Sequence, residues 1–123
     1  MVKLVFCLHR LPELSREEFQ RYWRERHAPL VRSHAAALRI RRYVQLHSLT
    51  TPLNDALRAS REAPEGYDGI AELWWDSVDD IVAATSSEEG RRAGEALLAD
   101  ERRFIDLARS PLWLANEVPI LPG

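Results

Sequence analysis

Hydrophobic and polar positions alternate from the start of the chain, where Val2, Leu4, Phe6 and Leu8 interleave with Lys3, Val5, Cys7 and His9. Apolar residues fall in both sets, so the run predicts a strand covered on both faces. The period then lengthens. Ser15-Arg16-Glu17-Glu18 is a capping box: the Ser15 hydroxyl is placed to accept from the Glu18 amide and the Glu18 carboxylate to reach back. The helix it opens has an inward stripe of Phe19, Tyr22, Trp23, Arg26 and Leu30, with Arg16, Glu17, Arg21 and Glu25 towards water. Pro29 predicts a break or re-entry near His27 and Ala28, because the residue before a proline is pushed out of the helical region. A short helical piece from Leu30 to Leu38 follows.

Arg39 to Leu49 reads as a second strand, with Ile40, Val44 and Leu46 set against Arg41, Tyr43, Gln45 and His47. Thr50 to Tyr67 carries Pro52, Pro64 and Gly66 and predicts a long loop with a helical turn around Leu53 to Ala59. The third strand is Asp68 to Trp75, with Ile70, Glu72 and Trp74 on one side and Ala71, Leu73 and Trp75 on the other. A short helix from Ser77 to Thr85 precedes a longer one, capped at Ser86-Ser87-Glu88-Glu89 and reaching about Ala108, with Ala93, Leu97, Phe104 and Leu107 as its apolar stripe. Leu112 to Leu121 supplies the fourth strand. The order βαββαβ predicts an α+β, ferredoxin-like domain over residues 1–123, one four-stranded antiparallel sheet with both helices on one face. The other face needs a cover. Trp74, Trp75 and Trp113 add bulk to a sheet with large residues on both sides, and a second identical sheet would close it as an isologous homodimer.

Composition narrows the function classes. With 46% apolar and 29% charged residues the chain has the profile of a soluble globular protein. A formal charge of −2 provides no field for nucleic acid or anionic membrane, so neither is an expected partner. Cys7 is the only cysteine and has no partner for a disulfide, which suits a reducing cytoplasm. Neither a secretory leader nor a membrane-spanning run is expected: Arg10 and Pro12 interrupt the one apolar stretch near the start.

Three segments in order then carry a resemblance: Ser15-Arg16-Glu17-Glu18-Phe19 through Tyr22-Trp23-Arg24 to His27-Ala28-Pro29-Leu30; Arg42-Tyr43-Val44-Gln45-Leu46-His47; and Tyr67-Asp68-Gly69-Ile70-Ala71-Glu72-Leu73-Trp74. With the motif Trp-x-x-x-His-x-Pro on the first helix, the chain resembles the EthD family over nearly its whole length. The resemblance implies a dimeric α/β-barrel protein. Members are associated with degradation of ethers alongside a cytochrome P450 system, and related fungal proteins look like dehydratases acting on aromatic polyketides. The wider superfamily includes cofactor-independent monooxygenases, lactone isomerases, polyketide cyclases and haem-binding enzymes, so fold alone narrows the chemistry poorly.

His27 lies four residues after Trp23 on one helical face, where an imidazole serves either as a general acid or base or as a cap for the helix end. Tyr43, Gln45 and His47 project to one side of the second strand, as Glu72 and Trp74 do on the third and Cys7 and His9 on the first. If these sets share the face that a second sheet would cover, they line a small-molecule pocket. His27, Tyr43, His47 and Glu72 are then the catalytic candidates, with Glu72 orienting His47 or His27 for proton transfer. Cys7, His9, Trp23, Arg26, Gln45 and Trp74 are the substrate-binding candidates. The competing reading is a buried polar network that fixes dimer register without chemistry. The four histidines have no tight metal-ligand spacing, no Gly-rich phosphate loop occurs, and no motif singles out a haem ligand, so no metal or cofactor is expected. The function expected is an enzyme of lyase or oxidoreductase type, a cofactor-independent dehydratase, cyclase or oxygenase acting on aromatic, polyketide-like or ether-derived compounds. The alternatives are a non-catalytic ligand-binding accessory protein and a structural dimerisation module.

Overall fold

The computed structural model describes residues 1–123. Strands β1 (Val2–Leu8), β2 (Arg42–His47), β3 (Gly69–Trp75) and β4 (Leu112–Ala115) form one sheet in the order β2-β3-β1-β4, with every neighbouring pair antiparallel. This is the α+β, ferredoxin-like arrangement predicted from the order of elements. β2 is shorter than the predicted strand because Arg39 takes a left-handed conformation (φ 58°) that turns the chain out of the preceding helix. β4 stops at Ala115 rather than Leu121, since Ala115 already pairs with Lys3 and β1 offers almost no chain beyond it.

Helix α1 (Arg16–Tyr22) starts on the predicted capping box, with both reciprocal bonds formed. Of the two outcomes expected near Pro29, the chain takes the re-entry and not the break. The helix passes through a π-turn (Trp23–His27) directly into α2 (Ala28–His34). Proline has no N–H to donate, and in a regular helix its ring would clash with the carbonyl four residues back; the wider turn, where the Ala28 amide reaches Trp23 O, carries the chain past that point. Helix α3 (Pro52–Ser60), capped by the Thr51 hydroxyl, lies where a helical turn around Leu53 to Ala59 is expected within the long loop, and buries none of its residues.

Helices α4 (Val78–Ser86) and α5 (Glu88–Glu101) meet at Ser87, which ends the first and caps the second by accepting from the Gly90 amide. A side chain at Gly90 would run into the Ala84 carbonyl, so the tight junction requires glycine. α5 ends at Glu101 rather than near Ala108. The chain turns there so that Phe104 and Ile105 drop into the core instead of continuing a helical stripe.

Two groups of buried side chains fill the space between sheet and helices. One is Phe6, Leu8, Phe19, Trp23, Ala71, Phe104 and Ile105; the other is Val31, Leu38, Ala93 and Leu97. Tyr43 and Leu73 pack against both. Cross-strand register pairs Tyr43 with Leu73, Gln45 with Ala71 and His47 with Gly69, which puts Tyr43, Gln45 and His47 on the helix-covered face. Glu72 and Trp74, paired with Val5 and Lys3, lie on the open face together with Cys7. No helix is long and apolar enough to cross a membrane.

Candidate functional site

Between the sheet and the helices, where the two buried groups meet, is a partly open cavity of about 160 Å³. Its wall is apolar apart from three groups: His27 from the π-turn, Tyr43 from β2 and Glu101 from the last turn of α5. Trp23, Leu73, Trp75 and Leu97 supply much of the remaining surface.

The His27 ring is held from behind. Its Nδ1 lies 2.7 Å from Oδ2 of Asp100, whose Oδ1 accepts a hydrogen bond from the Tyr22 hydroxyl at 2.6 Å. A carboxylate only accepts, so the neutral imidazole carries its proton on Nδ1 and keeps a lone pair on Nε2. His27 Nε2 makes no hydrogen bond, yet no side-chain nitrogen or oxygen is both fully buried and unpartnered, so Nε2 meets open space. Burial pushes the His27 pKa below its ordinary value, partly offset by the hydrogen bond and charge of Asp100. The imidazole is therefore a neutral base at physiological pH. Phe104 packs on the rings of both His27 and Tyr22, fixing the pair from the side.

Glu101 is the neighbour of Asp100 in the chain but faces the cavity and makes no hydrogen bond or ion pair. Burial first, then the adjacent Asp100 charge, raise its pKa to about 7. The Tyr43 hydroxyl accepts from Gln45 Nε2 at 2.7 Å, and burial pushes its pKa up. Gln45 Nε2 also donates to Trp23 O at 3.0 Å, while its Oε1 meets His47 Nε2 at 2.8 Å. These bonds tie β2 to the π-turn. Gly69 completes the wall: a side chain there would collide with the Trp23 ring and approach Leu46 O to 2.9 Å.

The predicted site residues thus separate. His27, Tyr43 and Trp23 share the cavity, and Gln45 braces it from the side. His47 is on the same sheet face, but its ring stacks on Trp23 at 4.6 Å and it opens towards a wide polar groove beside α3 instead. Burial and the Arg24 charge lower its pKa. The expected pairing of Glu72 with His47 or His27 is ruled out by the register: Glu72 is on the far side of the sheet, in an ion pair with Lys3 at 2.8 Å. Trp74 lies beside it, under Lys3 and Arg42, with its indole N–H on Glu117. Cys7 is buried on that same open face, and burial raises its thiol pKa. His9 packs on Tyr67 at the end of β1, away from the cavity. Arg26 points to water, because the extra width of the π-turn brings His27 inward in its place. Nowhere do three His, Cys, Asp or Glu side chains come within reach of one metal ion.

Tyr22, Asp100 and Glu101 are the site residues that the sequence reading missed. A signal for the acids exists: Glu101 falls on the inward stripe of α5 after Ala93 and Leu97, and both acids sit at a helix C-terminus, where the dipole favours cations.

Comparison with known proteins places this architecture. The EthD domain model matches residues 11–108, which include the π-turn, all of β2 and β3, and both Asp100 and Glu101. The chain belongs to the EthD family. A solved EthD family protein from Bacillus halodurans C-125 is 21% identical, with 96% of this chain and 99% of that one aligned at a TM-score of 0.63. A dimeric ferredoxin-like protein of unknown function from Bacteroides fragilis aligns over 94% of this EthD chain and 95% of its own, at 12% identity and a TM-score of 0.58. SnoaB, a cofactor-independent oxygenase from Streptomyces nogalater, is 18% identical over 99% of this chain and 97% of its own, with a TM-score of 0.53. At these identities the likeness speaks to fold. No protein of curated function matches the sequence.

Proposed function

We propose that this EthD protein binds a small organic compound in the inner cavity and acts on it by proton transfer, with His27 Nε2 as the base. The observation that carries the reading is the His27–Asp100 pair on an otherwise apolar cavity wall, since a base in apolar surroundings and oriented by a carboxylate suits removal of a carbon-bound proton. In a β-hydroxy carbonyl compound, Nε2 takes the proton next to the carbonyl and the electron pair moves onto the carbonyl oxygen as an enolate. The carbonyl then re-forms, the β-hydroxyl leaves with the proton that His27 returns, and the products are an unsaturated carbonyl compound and water. Cyclisation, or attack of the same carbanion on dioxygen, begins with this first step.

The test is hydrogen–deuterium exchange next to the carbonyl of ketone probes in deuterated water, followed by NMR. Acceleration by the wild-type protein and its loss in His27→Asn support the reading; equal rates with and without protein end it. Stabilisation by ketones without any exchange would favour the ligand-binding alternative, which the largely apolar wall of the cavity also suits.

The working form is proposed to be a homodimer closed through the open sheet face. Leu46 and Trp113 on that face are 42% and 49% exposed, and the neighbour from Bacteroides fragilis is dimeric. Light scattering of the full chain checks this, with a Trp113→Glu variant expected to shift the mass towards that of the monomer.

A further inference from the structure

The cavity has a second polar feature besides its base. Glu101 projects into it with no donor from the protein to meet either oxygen, an arrangement that, with its partial burial among apolar side chains, disfavours the carboxylate and favours the neutral acid, with one O–H to give. The charged and titratable groups around it are Asp100 before it and Arg102 after it on the chain, with Tyr43 on β2 and His27 on the π-turn. Asp100 is already engaged by His27 and Tyr22. Tyr43 takes its hydrogen bond from Gln45 and donates none, so its O–H is a second unengaged donor on the same wall.

Size adds a separate constraint. A space of about 160 Å³ is close to that of an apolar cavity of roughly 150 Å³ that holds one benzene molecule. A compound of three or four fused rings is far larger than this. No cation lines the cavity, so a carboxylate or phosphate ligand would lose its hydration without compensation.

From these observations we infer that the ligand is an uncharged carbonyl compound no larger than one substituted ring, with its oxygen held by the Glu101 carboxyl acting as hydrogen-bond donor. This rests on the acid–base reading of the same cavity and adds the substrate class and an electrophilic partner. A donor on the carbonyl oxygen stabilises the enolate that forms when His27 removes the adjacent proton. The carbonyl oxygen gains a hydrogen bond in the ground state and a stronger one as charge develops, with no proton lost overall.

The experiment uses four probes with the full-length protein: acetophenone, ethylbenzene, benzoate and anthrone, titrated calorimetrically at pH 6 and pH 8. Acetophenone is expected to bind at least about tenfold more tightly than ethylbenzene, as one buried hydrogen bond implies, and benzoate and anthrone more weakly than either. Between pH 6 and pH 8 its affinity falls up to about tenfold, because the ionised Glu101 can no longer donate. Glu101→Gln keeps a donor and abolishes the pH dependence. Glu101→Leu brings acetophenone down to the level of ethylbenzene, with ethylbenzene binding itself reporting that the variant is folded. Equal affinity for acetophenone in wild type and Glu101→Leu, or tighter binding of anthrone than of acetophenone, overturns the inference. These outcomes are separate from the fate of the base: acetophenone that binds through Glu101 without accelerated proton exchange removes the role of His27 and leaves the substrate class standing. Conversely, no binding of acetophenone, with His27-dependent exchange of a larger ketone, removes the substrate class and leaves the base.

Discussion

His27 Nδ1 and Asp100 Oδ2 lie 2.7 Å apart, joining the irregular turn of the first helix to the last turn of α5. Burial lowers the His27 pKa and Asp100 opposes that shift. Asp100→Asn should therefore lower the pKa further and leave the ring less firmly oriented, while costing about 1–3 kcal/mol of stability for the lost charge-assisted bonds from His27 and Tyr22. NMR titration of the imidazole gives the answer. A His27 pKa that stays put or rises in the variant would show that the carboxylate does not support the ring.

Glu101 makes stability fall as pH rises. Its folded pKa of about 7 lies above the ordinary 4.5, so between these values the unfolded chain has lost a proton that the native state still holds. Stability from this group declines through that window by up to about 3 kcal/mol and is flat above it. In denaturant melts at pH 5 and pH 8, Glu101→Gln should erase most of this difference and be the more stable protein at pH 8. An identical pH slope in the two proteins would contradict the burial of the carboxyl.

Asp68 works in the opposite direction. Burial alone would raise its pKa, but the Arg10 amide, the Arg16 guanidinium and the Arg10 guanidinium outweigh it and hold the carboxyl below its ordinary value. This contribution is present above the ordinary carboxylate range and is lost as pH falls through the lowered value. Because the carboxylate fastens the end of β1 and the start of α1 to β3, Asp68→Ala should cost about 3–5 kcal/mol and leave two arginines without their partner. Urea midpoints at pH 7 measure it; a loss below about 1 kcal/mol would place the pair among ordinary surface bridges.

Gly69→Ala tests the wall of the cavity. The added methyl meets the Trp23 ring and the Leu46 carbonyl, so the indole must tilt away from His47. A loss of about 1–3 kcal/mol is expected, with a change in Trp fluorescence and weaker acetophenone binding. Unchanged fluorescence and affinity would mean that Trp23 is not held as described.

Much of this was readable from residue spacing. Element order, the capping box at Ser15 and the alternation of Tyr43, Gln45 and His47 follow from local rules that tertiary contacts did not override. The face that this alternation serves did not follow, because polar side chains on the helix-covered side are acceptable only once Gln45 finds Trp23 O and the Tyr43 hydroxyl there. Glu72 fell to the same ambiguity, since a strand's period says which residues are together and not which layer they face. Arg26 was misplaced because a constant helical period was carried through a turn that does not keep it.

That turn constrains how the protein can change over generations. Removing one residue between Trp23 and His27 would take out the extra residue of the wide turn, restore ordinary helical spacing and shift the imidazole from its place against Asp100. It would also leave Pro29 with a carbonyl to clash against. The helix irregularity, the proline and the base are thus heritable only as a set, and a relative in which this segment is one residue shorter is expected to have changed its chemistry as well as its helix.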